Sequence, residues 1–115
     1  MALGIKLLPE TLRSIGFAAI GAGYTGIGPA FAHPIRIIHI TNTTNELLVF
    51  SFDGINDHFV VPGDFFLLLD VTSNATVMAG QFSIGQGTRI YVKHPGAAPT
   101  VGSVYLAVFY GLEIS

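Results

Sequence analysis

The stretch IGAGYTGIGPAF runs from Ile20 to Phe31, and within it Gly21, Gly23 and Gly26 keep the G-x-G-x-x-G spacing of a dinucleotide-binding turn. That chemistry needs a strand before the glycines and a helix after them, because the helix N-terminus supplies the free N–H groups that hold a pyrophosphate. An apolar run precedes Gly21, and Glu46 follows Gly26 by the roughly 20 residues at which a ribose-binding acid would stand. No helix can follow the glycines. Gly28 and Pro29 come at once, Pro34 comes next, and the residues beyond are β-branched. Nucleotide binding is therefore not expected. The segment reads instead as an extended, pliable apolar loop. Tyr24, Ile27 and Phe31 are its anchors, either along a neighbouring subunit or over the chain's own core.

The other residues able to do chemistry are scattered. His33, His39, His58 and His94 share no close spacing, whereas a metal needs three or four converging ligands. Asp53, Asn56 and Asp57 crowd one turn, but their spacing does not fit a calcium loop, and hairpin turns favour these residue types anyway. Ser14, Ser51, Ser73, Ser83 and Ser103 lack a nucleophile-elbow setting. Asp53 and Asp70 lie near strand ends and could pair as acid and base, yet the chain has few polar residues to support them. The expectation is a non-enzymatic protein with no cofactor and no metal. Asn42-Thr-Thr and Asn74-Ala-Thr spell glycosylation sequons, but MALGIKLLPE, with one cation and a short apolar run broken by Pro9, is not expected to act as a secretion signal. With no cysteine, disulfides and thiolate chemistry are excluded.

Composition narrows the partners. Of 115 residues, 50% are hydrophobic and only 10% are charged, against about 25% charged in ordinary soluble domains. So small a body needs polar residues to cover its outside, and the shortage implies that other chains cover part of it. The cations Lys6, Arg13, Arg36, Arg89 and Lys93 are dispersed, which argues against a nucleic-acid backbone as partner. Ile15 to Phe31 is uncharged but glycine-rich, interrupted by Pro29, and shorter than the about 20 residues of a membrane helix. No membrane partner is expected.

The elements that would position these residues are strands. Glu10 to Ile20 reads as a short strand, and Leu3 to Leu12 as room for a helical turn limited by Pro9. After the glycine loop, PIRIIHITNT (Pro34 to Thr43) and ELLVFSFDG (Glu46 to Gly54) flank an Asn/Thr cluster and suggest a hairpin. Phe59 to Val61, Asp64 to Val71 and Val77 to Ile84 follow as further runs. In TRIYVKH, Arg89, Tyr91 and Lys93 should face out while Ile90 and Val92 face in; Ser103 to Ile114 closes the chain as a long strand. The pattern is all-β: one antiparallel β-sandwich over residues 1–115, jelly-roll or Ig-like, with seven to eight strands. Residues 1–33 form an N-terminal arm with the first strand and glycine-rich loop, and residues 34–115 form the core. Phe65 to Leu69 and Val104 to Tyr110 are apolar on both faces, so their second face should meet another layer or another subunit.

The segment Arg36 to Asn74 contains I-x-N-x-T ahead of FSFDG, then DHFVVPG, then an apolar run ending in DVTSN. In these features it resembles small β-sandwich virion proteins of tailed bacteriophages. The low charge and the Gly/Ala-rich stretch from Gly16 to Ala32 resemble phage structural proteins as well. The likeness covers about a third of the chain and implies a structural protein of the virion, assembled in the host cytoplasm. Head–tail adaptor or collar, tail component and capsid decoration (cement) protein are all compatible with it. Its partners would be further copies of itself and neighbouring virion proteins.

Taken with the apolar strands, this leads to the expectation of a homo-oligomer. Tyr24, Ile27, Phe31, Phe65, Phe66, Tyr105 and Phe109 are the expected contact residues. The alternative is a carbohydrate- or receptor-binding sandwich, disfavoured by the absence of Trp and by only four tyrosines, Tyr24, Tyr91, Tyr105 and Tyr110.

Overall fold

A computed structural model of the chain describes residues 4–71 and 84–114. Nine strands occur among them: β1 (Gly4–Pro9), β2 (Arg13–Gly16), β3 (Thr25–Gly26), β4 (Ile35–Asn42), β5 (Leu48–Ser51), β6 (Phe59–Val61), β7 (Phe65–Asp70), β8 (Tyr91–Lys93) and β9 (Ser103–Ile114). They form two antiparallel sheets. Sheet A has the order β1-β9-β4-β7, with β2 also pairing β9; sheet B has the order β3-β8-β5-β6. The pairs β5/β6, β4/β7, β3/β8 and β2/β9 are nested one outside another. That nesting is a long hairpin rolled into two facing sheets, which is jelly-roll connectivity. Of the two expected topologies, the Ig-like one is thereby set aside.

Strand alternation fills the space between the sheets. Ile38, Ile40, Val104, Leu106 and Val108 point in from sheet A; Leu48, Phe50, Val61 and Val92 point in from sheet B. Each aliphatic or aromatic side chain so withdrawn from water contributes about 1.5–3 kcal/mol. The expected alternation of TRIYVKH holds: Ile90 and Val92 are buried, while Arg89, Tyr91 and Lys93 are only half-buried.

Several expectations are corrected. The runs Pro34–Thr43 and Glu46–Gly54 are not a hairpin, since β4 lies in sheet A and β5 in sheet B. Asn42 explains the crossing. Its side chain, fully buried, accepts from the Thr44 N–H at 2.9 Å and donates to the carbonyls of Glu46, Val61 and Pro62 at 3.0, 3.1 and 3.2 Å. It therefore ties the end of β4 to β6 of the other sheet, and its burial closes the first sequon to a glycan in the folded chain. The true hairpin is β5/β6. Of the run Leu3 to Leu12, the described residues 4–12 contain strand β1 and no helical turn, and Glu10–Ile20 divides into β2 and a 3-10 turn at Phe17–Ala19. The arm is not separate from the core: Ile15, Ile20, Ile27 and Phe31 all join the central cluster. The expected run Val77–Ile84 lies outside the described residues except for Ile84, which bridges to Ile35. The second sequon, Asn74, lies outside them as well.

At the entry to β9 the chain turns at Gly102 with φ +90°, and a Cβ there would run into the carbonyl of Thr43. Only glycine fits that crossing. Gly21 and Gly23 lead into strand β3, and no helix follows them, so the dinucleotide geometry does not form.

Candidate functional site

The two outer faces of the sandwich differ in chemistry. On sheet A, register places residues in cross-strand rows. Phe66, Thr41, Tyr105 and Ser14 form one row; Leu68, His39 and Ala107 form the next; Asp70, Ile37, Phe109 and Pro9 form a third. These positions face away from the core because their neighbours along each strand, such as Ile38, Ile40, Leu106 and Val108, face into it. The surface so built is apolar. Phe66 is 64% exposed, Leu68 56% and Tyr105 41%; Phe65, at the start of β7, is 61% exposed but pairs with the inward Asn42, on the other side of the strand from Phe66. The His39 ring leans on Phe66 with centroids 5.4 Å apart. Asp70 is the one Asp, Glu, Lys or Arg in these rows.

β7 is also where the path of sheet A ends among the described residues. Protected sheet edges carry Lys, Pro or a bulge. β7 reads FFLLLD, has none of the three, and pairs with β4 in unbroken register.

Much of the outer side of sheet B is covered by its own side chains, although Val60 of β6 is 53% exposed. Tyr24 donates its hydroxyl to Asp57, and Lys93 pairs with the same carboxylate at 3.1 Å while lying 4.5 Å from the Tyr24 ring centre. Burial and the Asp57 carboxylate push the Tyr24 hydroxyl up to about 12. The Tyr24 hydroxyl, followed by Lys93, holds Asp57 below its ordinary value. Arg89 reaches over Gly26 to donate to the Gly28 carbonyl at 2.6 Å, with its guanidinium 5.6 Å from the Tyr91 ring. Beneath this network Asp53 organises a turn. Its carboxylate accepts from the N–H groups of Ile55 and Asn56 at 2.8 and 2.9 Å and from the Ser51 hydroxyl at 2.8 Å. The Asn56 and Ile55 N–H groups, with the Asn56 amide and Ser51, hold its pKa far below the carboxylate range. The Asp53–Asp57 cluster is thus a self-satisfied turn.

A third cluster joins the glycine loop to the start of β2. Glu10 pairs with Arg13 and with His33, both at 2.7 Å. Arg13 also donates to the carbonyls of Pro29, Ala30 and Thr11. Hydrogen bonds from Arg13, His33 and the Ala32 N–H outweigh burial and hold Glu10 below its ordinary value. His33 stacks flat on Tyr110 at 3.7 Å. A shallow depression of about 620 Å³ opens beside these groups. Arg13 has nearly all its donors occupied by the loop it holds, so this cluster is a clamp.

The expected contact residues therefore separate. Phe65, Phe66, Tyr105 and the half-buried Phe109 belong to one strand layer, sheet A. Tyr24 sits across the sandwich, engaged with Asp57 and Lys93. Ile27 and Phe31 are corrected: at 0% and 2% exposure they are core residues, fixed by the bonds from the Ile27 and Phe31 N–H groups to the carbonyls of Ile90 and Thr88. Of the two courses open to the glycine loop, it folds over its own core. Leu68 and Ile37 of the apolar face were missed as individual residues, although the two-sided apolar run around Leu68 was the signal. The four tyrosines are dispersed over both sheets and make no common platform. Among the described residues no group of three or more His, Asp or Glu could hold a metal, and no helix is long and apolar enough to cross a membrane. No protein-family model matches the chain, and neither a curated protein nor a solved structure is significantly similar to it.

Proposed function

We propose that this chain is a non-catalytic structural subunit that assembles with further copies of itself through the outer face of sheet A and the β7 edge at which that sheet ends among the described residues. The carrying observation is the row-by-row apolar surface of Phe66, Leu68, Tyr105, Ile37 and Phe109 beside an unguarded β7. From about 150–250 Å² per aromatic side chain, the exposed parts of Phe66, Leu68 and Tyr105 amount to on the order of 300 Å². That is as large as the largest apolar patch on ordinary monomers. Doubled across a two-fold axis and rimmed by polar residues, it forms the apolar core of a standard interface of about 1,200–2,000 Å². A second copy suits the site because a two-fold axis at β7 sets identical apolar rows against each other and continues the sheet antiparallel. The likeness of Arg36 to Asn74 to bacteriophage virion proteins supports placing the assembly in a virion, docked on head, collar or tail proteins. Jelly rolls serve in viral capsids and in lectins alike, so the fold alone does not select between them; the bare apolar face supports the assembly reading.

Molar mass in solution tests this. The wild-type chain should be a dimer or larger at micromolar concentration. Leu68→Asp and Phe66→Asp should be monomeric with an unchanged far-ultraviolet β spectrum, because both side chains are exposed in the single chain. A wild-type monomer at about 100 µM, or variants that keep the wild-type mass, would end the proposal.

A further inference from the structure

Arg36 is buried to 5% exposure, and its Nε has no hydrogen-bond partner; among the described residues it is the one buried side-chain nitrogen or oxygen left so. The four ion pairs formed by the described residues involve Arg13, His33, His58 and Lys93 as cations, and none involves Arg36. Among the described residues no aromatic ring lies under it either; their cation–ring contacts belong to Arg13, Arg89 and Lys93. The other buried arginine shows the contrast. Arg13 meets a carboxylate and three carbonyls.

The backbone holds Arg36 in this position. The β4/β9 register shifts between Ile35 and Ile37, which pair with the consecutive residues Tyr110 and Phe109, so Arg36 is the extra residue of a bulge. Bulges re-aim side chains. On the opposite side of β4, Ile35 exchanges both backbone bonds with Ile84 at 2.7 Å, and Val71 donates to the Arg36 carbonyl at 2.8 Å. The strand is pinned on both sides of the residue. A guanidinium keeps its charge in any protein, and burying one of its N–H donors, here Nε, without a partner is unfavourable. Its planar fork is made to grip two oxygens of one carboxylate or phosphate.

We propose that Arg36 is the receptor of an oxyanion-binding site at the β4 bulge, occupied either by a free anion such as inorganic phosphate or by a side-chain carboxylate of a second copy. The second source rests on the self-assembly proposed above; the first does not.

The test compares the wild type with Arg36→Met, which keeps the volume and removes the charge, in a chloride buffer free of oxyanions. Arg36→Met should melt at or above the wild-type temperature, since a buried N–H donor without a partner is gone. Inorganic phosphate at constant ionic strength should raise the wild-type melting temperature by roughly 5 °C at ten times its Kd and leave Arg36→Met unmoved. If that rise occurs at constant mass, and persists in monomeric Phe66→Asp, the free anion is the source. If instead Arg36→Met loses mass and phosphate dissociates the wild-type assembly, the carboxylate of a second copy is the source. Should Arg36→Met fail to fold, Arg36→Lys, which keeps the charge without the fork, should show a phosphate response reduced several-fold. Equal responses of wild type and variant to phosphate, with equal masses, overturn the proposal.

Discussion

The outer faces of the two sheets treat the same kinds of residue in opposite ways. On sheet B the aromatic rings Tyr24 and Tyr91 lie under or beside Lys93 and Arg89, and Asp57 links Tyr24 to Lys93. On sheet A Phe66 and Tyr105 share one row with neither a cation nor a loop over them among the described residues, and Leu68 stands exposed in the next row. The chain has five lysines and arginines. Lys93 and Arg89 serve sheet B, Arg13 and Arg36 are buried, and Lys6 stands exposed on β1 of sheet A. Of the three cations outside the core, the two that lie against aromatic rings are both on sheet B. The other face is left to be covered by something outside the single chain, since a large exposed apolar patch marks an interaction surface.

The largest effect that sharpens this contrast comes from truncating one phenylalanine in the core and one on sheet A. Phe31→Ala should cost about 3–5 kcal/mol, because the ring is fully enclosed and leaves a cavity. Phe66→Ala should cost less than about 0.5 kcal/mol when measured in the monomeric Leu68→Asp background, where the exposed ring has little to lose. Urea unfolding decides it. A Phe66→Ala cost near that of Phe31→Ala would mean that the sheet A face is already covered within one chain.

How far the sequence could anticipate this is clearest at particular residues. The strand Ser103–Ile114 and the inward Ile90 and Val92 were legible, because period-two alternation reports directly which side meets the core. The two-sided apolar run at β7 was legible as a contact surface for the same reason. Ile27 and Phe31 were not assignable to inside or outside, since an irregular glycine-rich segment has no period to read. The apparent β4/β5 hairpin misled because the Asn42–Asn45 turn residues signal a reversal of direction without saying into which sheet; the buried Asn42 contacts decide that. Nothing local marked Arg36 for burial, as bulges depend on the partner strand.

A smaller perturbation strips the cover from sheet B. Gly26→Ala places a methyl group where the Arg89 guanidinium now lies. Arg89 must then leave the Gly28 carbonyl and the Tyr91 ring. A hydrogen bond from a charged donor is worth about 1.5–3 kcal/mol, and thermal unfolding should show a loss of that order. The same substitution in an Arg89→Met background should cost much less. If it costs equally there, the strain lies in the backbone and the guanidinium is not the cover.

Smaller again is the Lys93–Asp57 pair, whose carboxylate is largely exposed. Lys93→Met should cost about 0.2–1 kcal/mol, the range of surface ion pairs. A double-mutant cycle with Asp57→Asn should recover most of it as coupling. Additive losses would show that Lys93 acts through its stem against Tyr24 and not through its charge.

The smallest effect is acid sensitivity. Asp57 is held below its ordinary value by the Tyr24 hydroxyl and Lys93, Asp53 by its backbone donors, and Glu10 by Arg13 and His33. A carboxylate whose folded pKa is depressed stabilises the fold above its unfolded value and loses that contribution as pH falls through the folded value. The ordinary values are 3.8 for the aspartates and 4.5 for Glu10, so the urea midpoint should be level above that range and decline beneath it. Asp57→Asn should flatten part of the decline. Because Asp57 belongs to the cover of sheet B, the flattening should appear equally in the monomeric Leu68→Asp background. If it appears only in the assembled protein, Asp57 faces a neighbouring copy, and the two faces are not divided as drawn here.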